Sequence, residues 1–417
     1  MGRLIRLTKR LVASGAMLAG AGVLAQGLFS RTAAAAVDPE CSSLTGVVYV
    51  SGSSAVQPAL QGLSKTLGPN GTTIVYFKQG SCVGVNAILG TAQTAGTGNY
   101  WDADGNVKSC TLSASQVVDI GVSDVYATSC PNVTAEQLTS KGLKDYDTFF
   151  AQVMEFVVNK DSDQTAISAE AAYLTFGLGN DGATPWDNEA LFAVRDSGSG
   201  TQTMLAKAIG LDATKWKGVN TGGSANVLTS IKSSLTPVAK APPAGAADAK
   251  KLIGILSSGE ADQDTINVKK LAFQAKDQTC AFWADSGVST LDKKYVRDGH
   301  YPVWGPLHVI TKADSQGVPT SAGAKAVVDA FSAQDKAILD VEITANVVPL
   351  CAMNVTRDSE VGPLSSIQPT GACGCYFDSQ RKPGGAGTEC KVCTEANAAT
   401  VCTGARTKCN YGFCEVK

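Results

Sequence analysis

The chain has 417 residues, 44% of them hydrophobic and 17% charged, with a formal net charge of −2. That length allows two or three domains around a substantial core, and that charge excludes a basic surface for nucleic acid or acidic membrane. Thirteen cysteines against two histidines argue for disulfides in an oxidising compartment and against a histidine-based metal hydrolase.

Residues 1–36 read as a cleaved export signal. Arg3, Arg6, Lys9 and Arg10 precede an apolar run from Leu11 to Phe29, and Ala34-Ala35-Ala36 offers a cleavage site before Val37. Without this segment the net charge falls from −2 to −7, because Arg3, Arg6, Lys9, Arg10 and Arg31 leave with no acid. Any bound anion must then be held by local donors. No later stretch approaches the roughly 18 apolar residues of a membrane span. The expected location is periplasmic or secreted.

Val47–Val50 predicts a first strand, and Ser51-Gly52-Ser53-Ser54-Ala55 a small-residue loop. A helix follows, with Pro58 in its first turn and Leu60, Leu63 and Leu67 on one face. The unit repeats: strand Ile74–Phe77, loop Gly80–Gly84, then a helix carrying Val85, Ile88 and Leu89. Residues 91–115 are polar and Gly/Thr-rich and read as an insertion. Within them Asp102 to Asn106 lack the spacing of a calcium loop and read as a plain turn. Val117–Val122 predicts a third strand, ending at Ser123-Asp124.

Phe156–Val158 predicts a strand into a second lobe, and Ala166–Phe176 a helix. Leu191–Val194 then leads into Arg195-Asp196-Ser197-Gly198-Ser199-Gly200-Thr201, and Met204, Leu205, Ala208 and Ile209 follow at helical spacing up to Gly210. Such a strand-to-helix turn offers an anion free N–H groups, the positive end of a helix dipole and one forked, permanently charged donor. Ile253–Leu256 predicts another buried strand, Val268–Phe273 a return to the first lobe, Pro306–Ile310 a further strand, and Ala322–Leu339 one amphipathic helix. The alternation predicts α/β lobes with mostly parallel sheets flanked by helices.

After Gly371 seven cysteines fall within the last 45 residues. Residues 371–417 read as a small disulfide-stapled module, joined by a linker over 351–370. Disulfides are preferred there to a metal site. The odd cysteine count leaves at least one thiol free or paired between chains.

The order and spacing of these loops resemble the periplasmic phosphate-binding proteins of ABC importers, in the type 2 solute-binding superfamily. The resemblance spans about residues 45–350. It rests on Arg195–Thr201 (family pattern R-x-x-G-S-G-T), Gly80–Gly84 (G-S-x-x-G) and Gly121-Val122-Ser123-Asp124 (G-A-S-D), with support from Trp186 and from Asp298–Pro302 before Pro306-Leu307. It implies a two-lobed fold, with lobe 1 over 37–156 and 268–350 and lobe 2 over 157–267. It also implies a phosphate site made of Ser54, the N–H of Ala55, Ser81, Asp124, Arg195, Ser199, Gly200 and Thr201. Asp124 falls on the acid that accepts a proton from the anion. Ser197 stands where the family has an Asp that holds the Arg, which leaves Asp196 as the substitute. The expectation is a monomeric, non-enzymatic binding protein that captures inorganic phosphate for an ABC permease, with no cofactor, metal or catalytic residue. The alternative is a secreted or surface interaction protein that uses residues 371–417 to attach to a wall or partner.

Overall fold

The structure, a computed structural model, describes residues 38–91, 94–237, 245–382 and 384–416. The expected export signal lies outside them. The described chain begins with β1 (Val47–Gly52), α1 (Gln57–Leu67), β2 (Thr73–Lys78) and α2 (Ser81–Leu89). Pro58 sits in the first turn of α1, where its missing N–H leaves no helical bond unmade, and Leu60, Leu63 and Leu67 are buried.

The segment expected as an insertion is instead a hairpin, β3 (Thr94–Trp101) and β4 (Val107–Gln116), laid antiparallel on β2. It sits at the sheet edge with much of its surface exposed, so its Gly, Thr and Ser residues lack an apolar alternation. The Cys41–Cys110 disulfide ties it to the start of the described chain. After it come β5 (Ile120–Ser123), α3 (Ala135–Ser140) and β6 (Leu143–Tyr146).

Strand β7 (Phe150–Asn159) is buried along all ten residues and organises the second lobe. There follow β8 (Ala166–Ser168), α4 (Ala169–Leu178), β9 (Phe192–Val194), α5 (Gly200–Ile209), β10 (Val219–Asn220), α6 (Ser224–Lys232), α7 (Ala246–Ala249), β11 (Ile253–Ser257), α8 (Ser258–Ala261), β12 (Val268–Lys270) and β13 (Ala272–Gln274). The helix expected from Ala166 starts three residues later, where the Ser168 hydroxyl caps it by accepting the Ala171 N–H.

The chain continues through α9 (Lys294–Arg297), β14 (Trp304–Pro306), β15 (His308–Lys312), α10 (Ala322–Ala333), α11 (Lys336–Thr344) and β16 (Val348–Pro349). One helix was expected over 322–339. It is broken in two because Gln334 adopts φ +43° and the Asp335 side chain starts a new helix by accepting the Ile338 N–H.

Two open sheets result. The first runs β4-β3-β2-β1-β5-β15-β6, and the second β10-β9-β11-β7-β12, with β14 and β16 also paired to β7. The trio β2-β1-β5 is parallel, as is β10-β9-β11; antiparallel strands extend both. The return expected at Val268 is corrected by the pairing: β12 and β14 both bond to β7, and the chain changes sheets only at Leu307. The two lobes are therefore joined by short crossings at 147–149, at Leu307 and at 345–347.

The tail comprises β17 (Val355–Thr356), β18 (Ser365–Ser366), α12 (Gly374–Arg381), α13 (Ala398–Val401), β19 (Lys408–Asn410) and β20 (Phe413–Glu415). Its cysteines form Cys351–Cys373, Cys375–Cys390, Cys393–Cys409 and Cys402–Cys414; Cys82–Cys130 completes the set, and Cys280 stays free and exposed. Tyr376 and Phe377 pack into the main core, and Asp378 pairs with Arg297. Residues 351–370, expected as a linker, are held down. Glu360 accepts from the Tyr126 N–H and the Ser129 hydroxyl, because its carboxylate lies in a nearly closed position between that loop and α5.

Candidate functional site

Four strand-to-helix turns meet between the lobes. From the first lobe come the turn after β1, the start of α2 and the end of β5. From the second comes the start of α5, and α6 and α8 add to it.

Asp124 is at the centre, 2% exposed. The Ser53 hydroxyl lies 2.6 Å from each of its carboxylate oxygens and shares one proton between them. Ser81 Oγ donates to Oδ2 at 3.2 Å and accepts the Asp124 N–H at 3.1 Å. Gln152 Nε2, from β7, donates to Oδ1 at 2.6 Å. Burial pushes the Asp124 carboxyl above its usual range, against the opposing pull of Ser53, Ser81 and Arg195. The group is thus better disposed to hold or share a proton than an exposed aspartate.

The far wall is the first turn of α5. Ser199 caps the helix by accepting the Gln202 N–H at 3.4 Å, and Gly210 closes it at φ +72°. The first N–H groups of the helix, from Gly200 and Thr201, have no acceptor within it. A side chain at Gly200 would place its Cβ 2.3 Å from Ser81 Oγ and 2.8 Å from Asp124 Oδ2. Only glycine lets the helix start approach the acid this closely. The lobes also touch through backbone: the Cys82 N–H donates to the Gly198 carbonyl at 3.0 Å.

Arg195 is 3% exposed. Its guanidinium donates to Ser224 Oγ at 2.6 Å and reaches Ser54 Oγ at 3.5 Å, and those two hydroxyls lie 3.0 Å apart. Its Nε has no acceptor among the described residues. Asp196 does not hold it. That carboxylate turns back to the Gly198 N–H at 2.9 Å, closing its own turn, and Ser224 takes the role instead. The Ala55 N–H, expected to face an anion, donates to Ser53 Oγ at 3.1 Å.

Of the expected residues, Ser81, Asp124 and Gly200 converge at one end and Ser54 and Arg195 at the other. Ser199 and Thr201 flank Gly200 at the start of α5, both buried. Ser53, Gln152, Ser224 and Glu260 were not foreseen. Glu260, buried on α8, accepts from Ser257 Oγ at 2.9 Å and is pushed up to about 7 by burial, against hydrogen bonding from Ser257 and the charge of Arg195. Signals for two of them stand in the sequence. Gln152 is a lone amide among Phe150, Ala151, Val153 and Met154, and Ser257-Ser258-Gly259-Glu260 is one more small loop after a strand.

No described protein family matches the chain, and no curated protein does. Among solved structures it is similar to a phosphate-bound substrate-binding protein assigned to a phosphate ABC transporter of Clostridium perfringens. That likeness has 15% identity and TM-score 0.47 over 73% of this chain and 99% of that one. It is also similar to an ABC-type phosphate transport receptor from Vibrio cholerae (15%, TM-score 0.43, 72% and 99%) and to PstS from Borrelia burgdorferi (16%, TM-score 0.38, 73% and 98%). What the site can bind follows from its own donors and acceptors.

Proposed function

We propose that the chain is an exported, non-enzymatic binding protein that captures inorganic phosphate between its two lobes and hands it to an ABC permease. The observation that carries this reading is Asp124. A buried carboxylate beside a helix start repels an anion unless the anion brings a proton. Hydrogen phosphate brings one; sulfate at neutral pH does not. Ser54, Ser81, Ser199, the N–H groups of Gly200 and Thr201, and the unengaged Nε of Arg195 supply the donors a desolvated oxyanion needs. Opening and closing would turn on the short crossings between the sheets.

The setting supports export. Six disulfides among the described residues suit an oxidising compartment, and no helix among them is long and apolar enough to cross a membrane. The attachment reading of the tail has less support, since the inner face of α12 is occupied by the body of the protein itself.

Titration calorimetry with phosphate and sulfate tests the reading. Phosphate is expected to bind and sulfate to bind far more weakly, and Asp124→Asn should narrow that ratio by roughly 10- to 100-fold, the worth of one charged hydrogen bond. Absence of heat with phosphate at micromolar protein overturns the phosphate assignment. An unchanged ratio in the variant removes Asp124 from the proton-accepting role.

A further inference from the structure

The two ends of the site differ. At the Asp124 end the start of α5 lies close against the acid, so that a Cβ on Gly200 would stand 2.3 Å from Ser81 Oγ, and nothing larger than a terminal oxygen is placed there. At the Arg195 end, the Ser54 hydroxyl that meets Arg195 also lines a cavity of about 210 Å³. A water occupies about 30 Å³ in the liquid, so the cavity is several times larger than a bridging water requires. Its walls are mixed: Gln57, Gln61, Lys78, Glu260 and Gln263 bring polar groups, and Pro58, Leu228 and Ala225 of α6 form the apolar remainder. Glu260 is tied back to the site, since Ser224 links it to Arg195. Inorganic phosphate has no use for this space. An anion with one oxygen carrying a small polar group does.

We propose that the cleft accepts a small phosphate monoester, its phosphoryl group on Arg195, Ser54 and the start of α5, and its hydroxyl- or ammonium-bearing alcohol part in the Ser54–Glu260–Gln263 cavity. This rests on the phosphate reading above and extends it to a substrate class. The Asp124 end takes a terminal oxygen, where the shared proton sits. The ester oxygen points the other way, past Ser54. In the cavity Glu260 and the glutamine carbonyls accept from hydroxyl or ammonium groups, and Lys78 and the glutamine amides donate to hydroxyl oxygens. A bare alkyl group could touch Pro58, Ala225 and Leu228 but would leave the charged and amide groups unmatched.

Calorimetry on the full chain at pH 6 tests this; a monoester, with its second pKa near 6, is then about half protonated. The probes are inorganic phosphate, glycerol 3-phosphate and phosphoethanolamine. At least one monoester is expected to bind no more weakly than inorganic phosphate. Ala225→Trp and, from the opposite wall, Gln263→Trp each fill the cavity from an exposed position. They should weaken the monoester at least tenfold and leave inorganic phosphate within twofold, with thermal melts confirming that both variants fold. If inorganic phosphate binds and neither monoester does, the extension falls and the phosphate reading stands. If none of the three binds, the phosphate reading falls and the extension goes with it. If monoesters bind but neither tryptophan matters, the alcohol part lies elsewhere and the cavity assignment is overturned.

Discussion

The molecule buries two charged assemblies, one within the second lobe and one between the lobes, and their difference separates structure from function. One lies under α8. Lys270 bonds to Asp262 at 2.7 Å and to Asp285, Lys293 bonds to the same two acids at 2.6 and 2.9 Å, Glu155 stands 4.0 Å from Lys270, and Arg381 of the tail reaches Asp262 at 3.3 Å. Three acids face three bases there. Burial opposes charge on Asp262, yet Lys293 and Lys270 outweigh it and hold its carboxyl below the usual range. The other assembly is the cleft, where Arg195 meets hydroxyls, keeps an unengaged Nε, and shares its neighbourhood with two carboxyls that burial has pushed upward. In the first assembly Asp262 and Asp285 are each bonded by both lysines, and only Glu155 stands apart, its Oε2 without a hydrogen-bond partner among the described residues and its carboxyl pushed up to about 7 by burial. The second is under-satisfied in a way an anion with a proton would complete.

The comparison is tested most severely by removing one base from each assembly. Lys293→Met leaves Asp262 and Asp285 short of a partner in a site where Lys293 is 1% exposed. Breaking a buried ion pair by deleting one member costs about 3–5 kcal/mol, and urea unfolding is expected to show a loss of that size. A loss below about 1 kcal/mol would mean the cluster does not depend on being fully paired. Arg195→Met is expected to do the reverse. Its partners are hydroxyls that can turn to one another, so stability should change by less than about 1 kcal/mol. Phosphate affinity should fall by about 3 kcal/mol, roughly a hundredfold, as for truncation of a buried charged contact. A variant that unfolds without losing affinity would make Arg195 a structural residue.

Acid titration isolates one group of the cleft when the wild type is compared with a variant, since Glu155 of the first assembly is raised by burial as well. Glu260 has no lysine bonded to it, and its carboxyl is pushed up to about 7 from a model-peptide value of 4.5. Between those two pH values the folded protein keeps a proton that the unfolded chain has released. Stability therefore falls as pH rises from about 4.5 to 7 and is flat in this respect above it. The span corresponds to about 3 kcal/mol as an order of magnitude. In Glu260→Gln this component is absent, so the variant should gain on the wild type across that window in urea melts at pH 4.5, 6 and 7.5. A constant difference between the two proteins would contradict it.

Much of this was legible in the sequence, for a physical reason. A buried parallel strand is an apolar run, and the loop that presents backbone N–H groups after it must be small, so β1, β2, β5 and β9 and the turns after them stand out. Asp124 and Arg195 followed from their places at those strand ends. What stayed hidden depends on contacts remote in sequence. Adjacency suggested Asp196 as the partner of Arg195, whereas topology delivers Ser224 from the start of α6. Gln152 reaches Asp124 only because β7 passes beneath the junction of the two sheets. The hairpin β3–β4 was hidden for the opposite reason: an exposed edge strand needs no apolar alternation and reads as loop. Gln334, at positive φ, broke a helix that periodicity alone would have carried through.

The smallest effect expected concerns Glu360, which links the two lobes from outside. Its carboxylate is fixed to the first lobe by the Tyr126 N–H and the Ser129 hydroxyl, and it faces Lys207 of α5 across 3.7 Å. Opening the cleft would separate Lys207 from it. Lys207 is 43% exposed, and a pair with so much solvent on one side contributes about 0–1 kcal/mol. Lys207→Gln removes the charge without disturbing the bonds that hold Glu360. The phosphate off-rate in stopped-flow displacement is then expected to rise by no more than about fivefold, with the melting temperature nearly unchanged and the increase vanishing at about 1 M salt, where exposed charges are screened. A rise of a hundredfold would make Glu360–Lys207 the principal latch of the closed form, and would place more of the closing energy outside the cleft than in the contacts of Asp124 and Arg195.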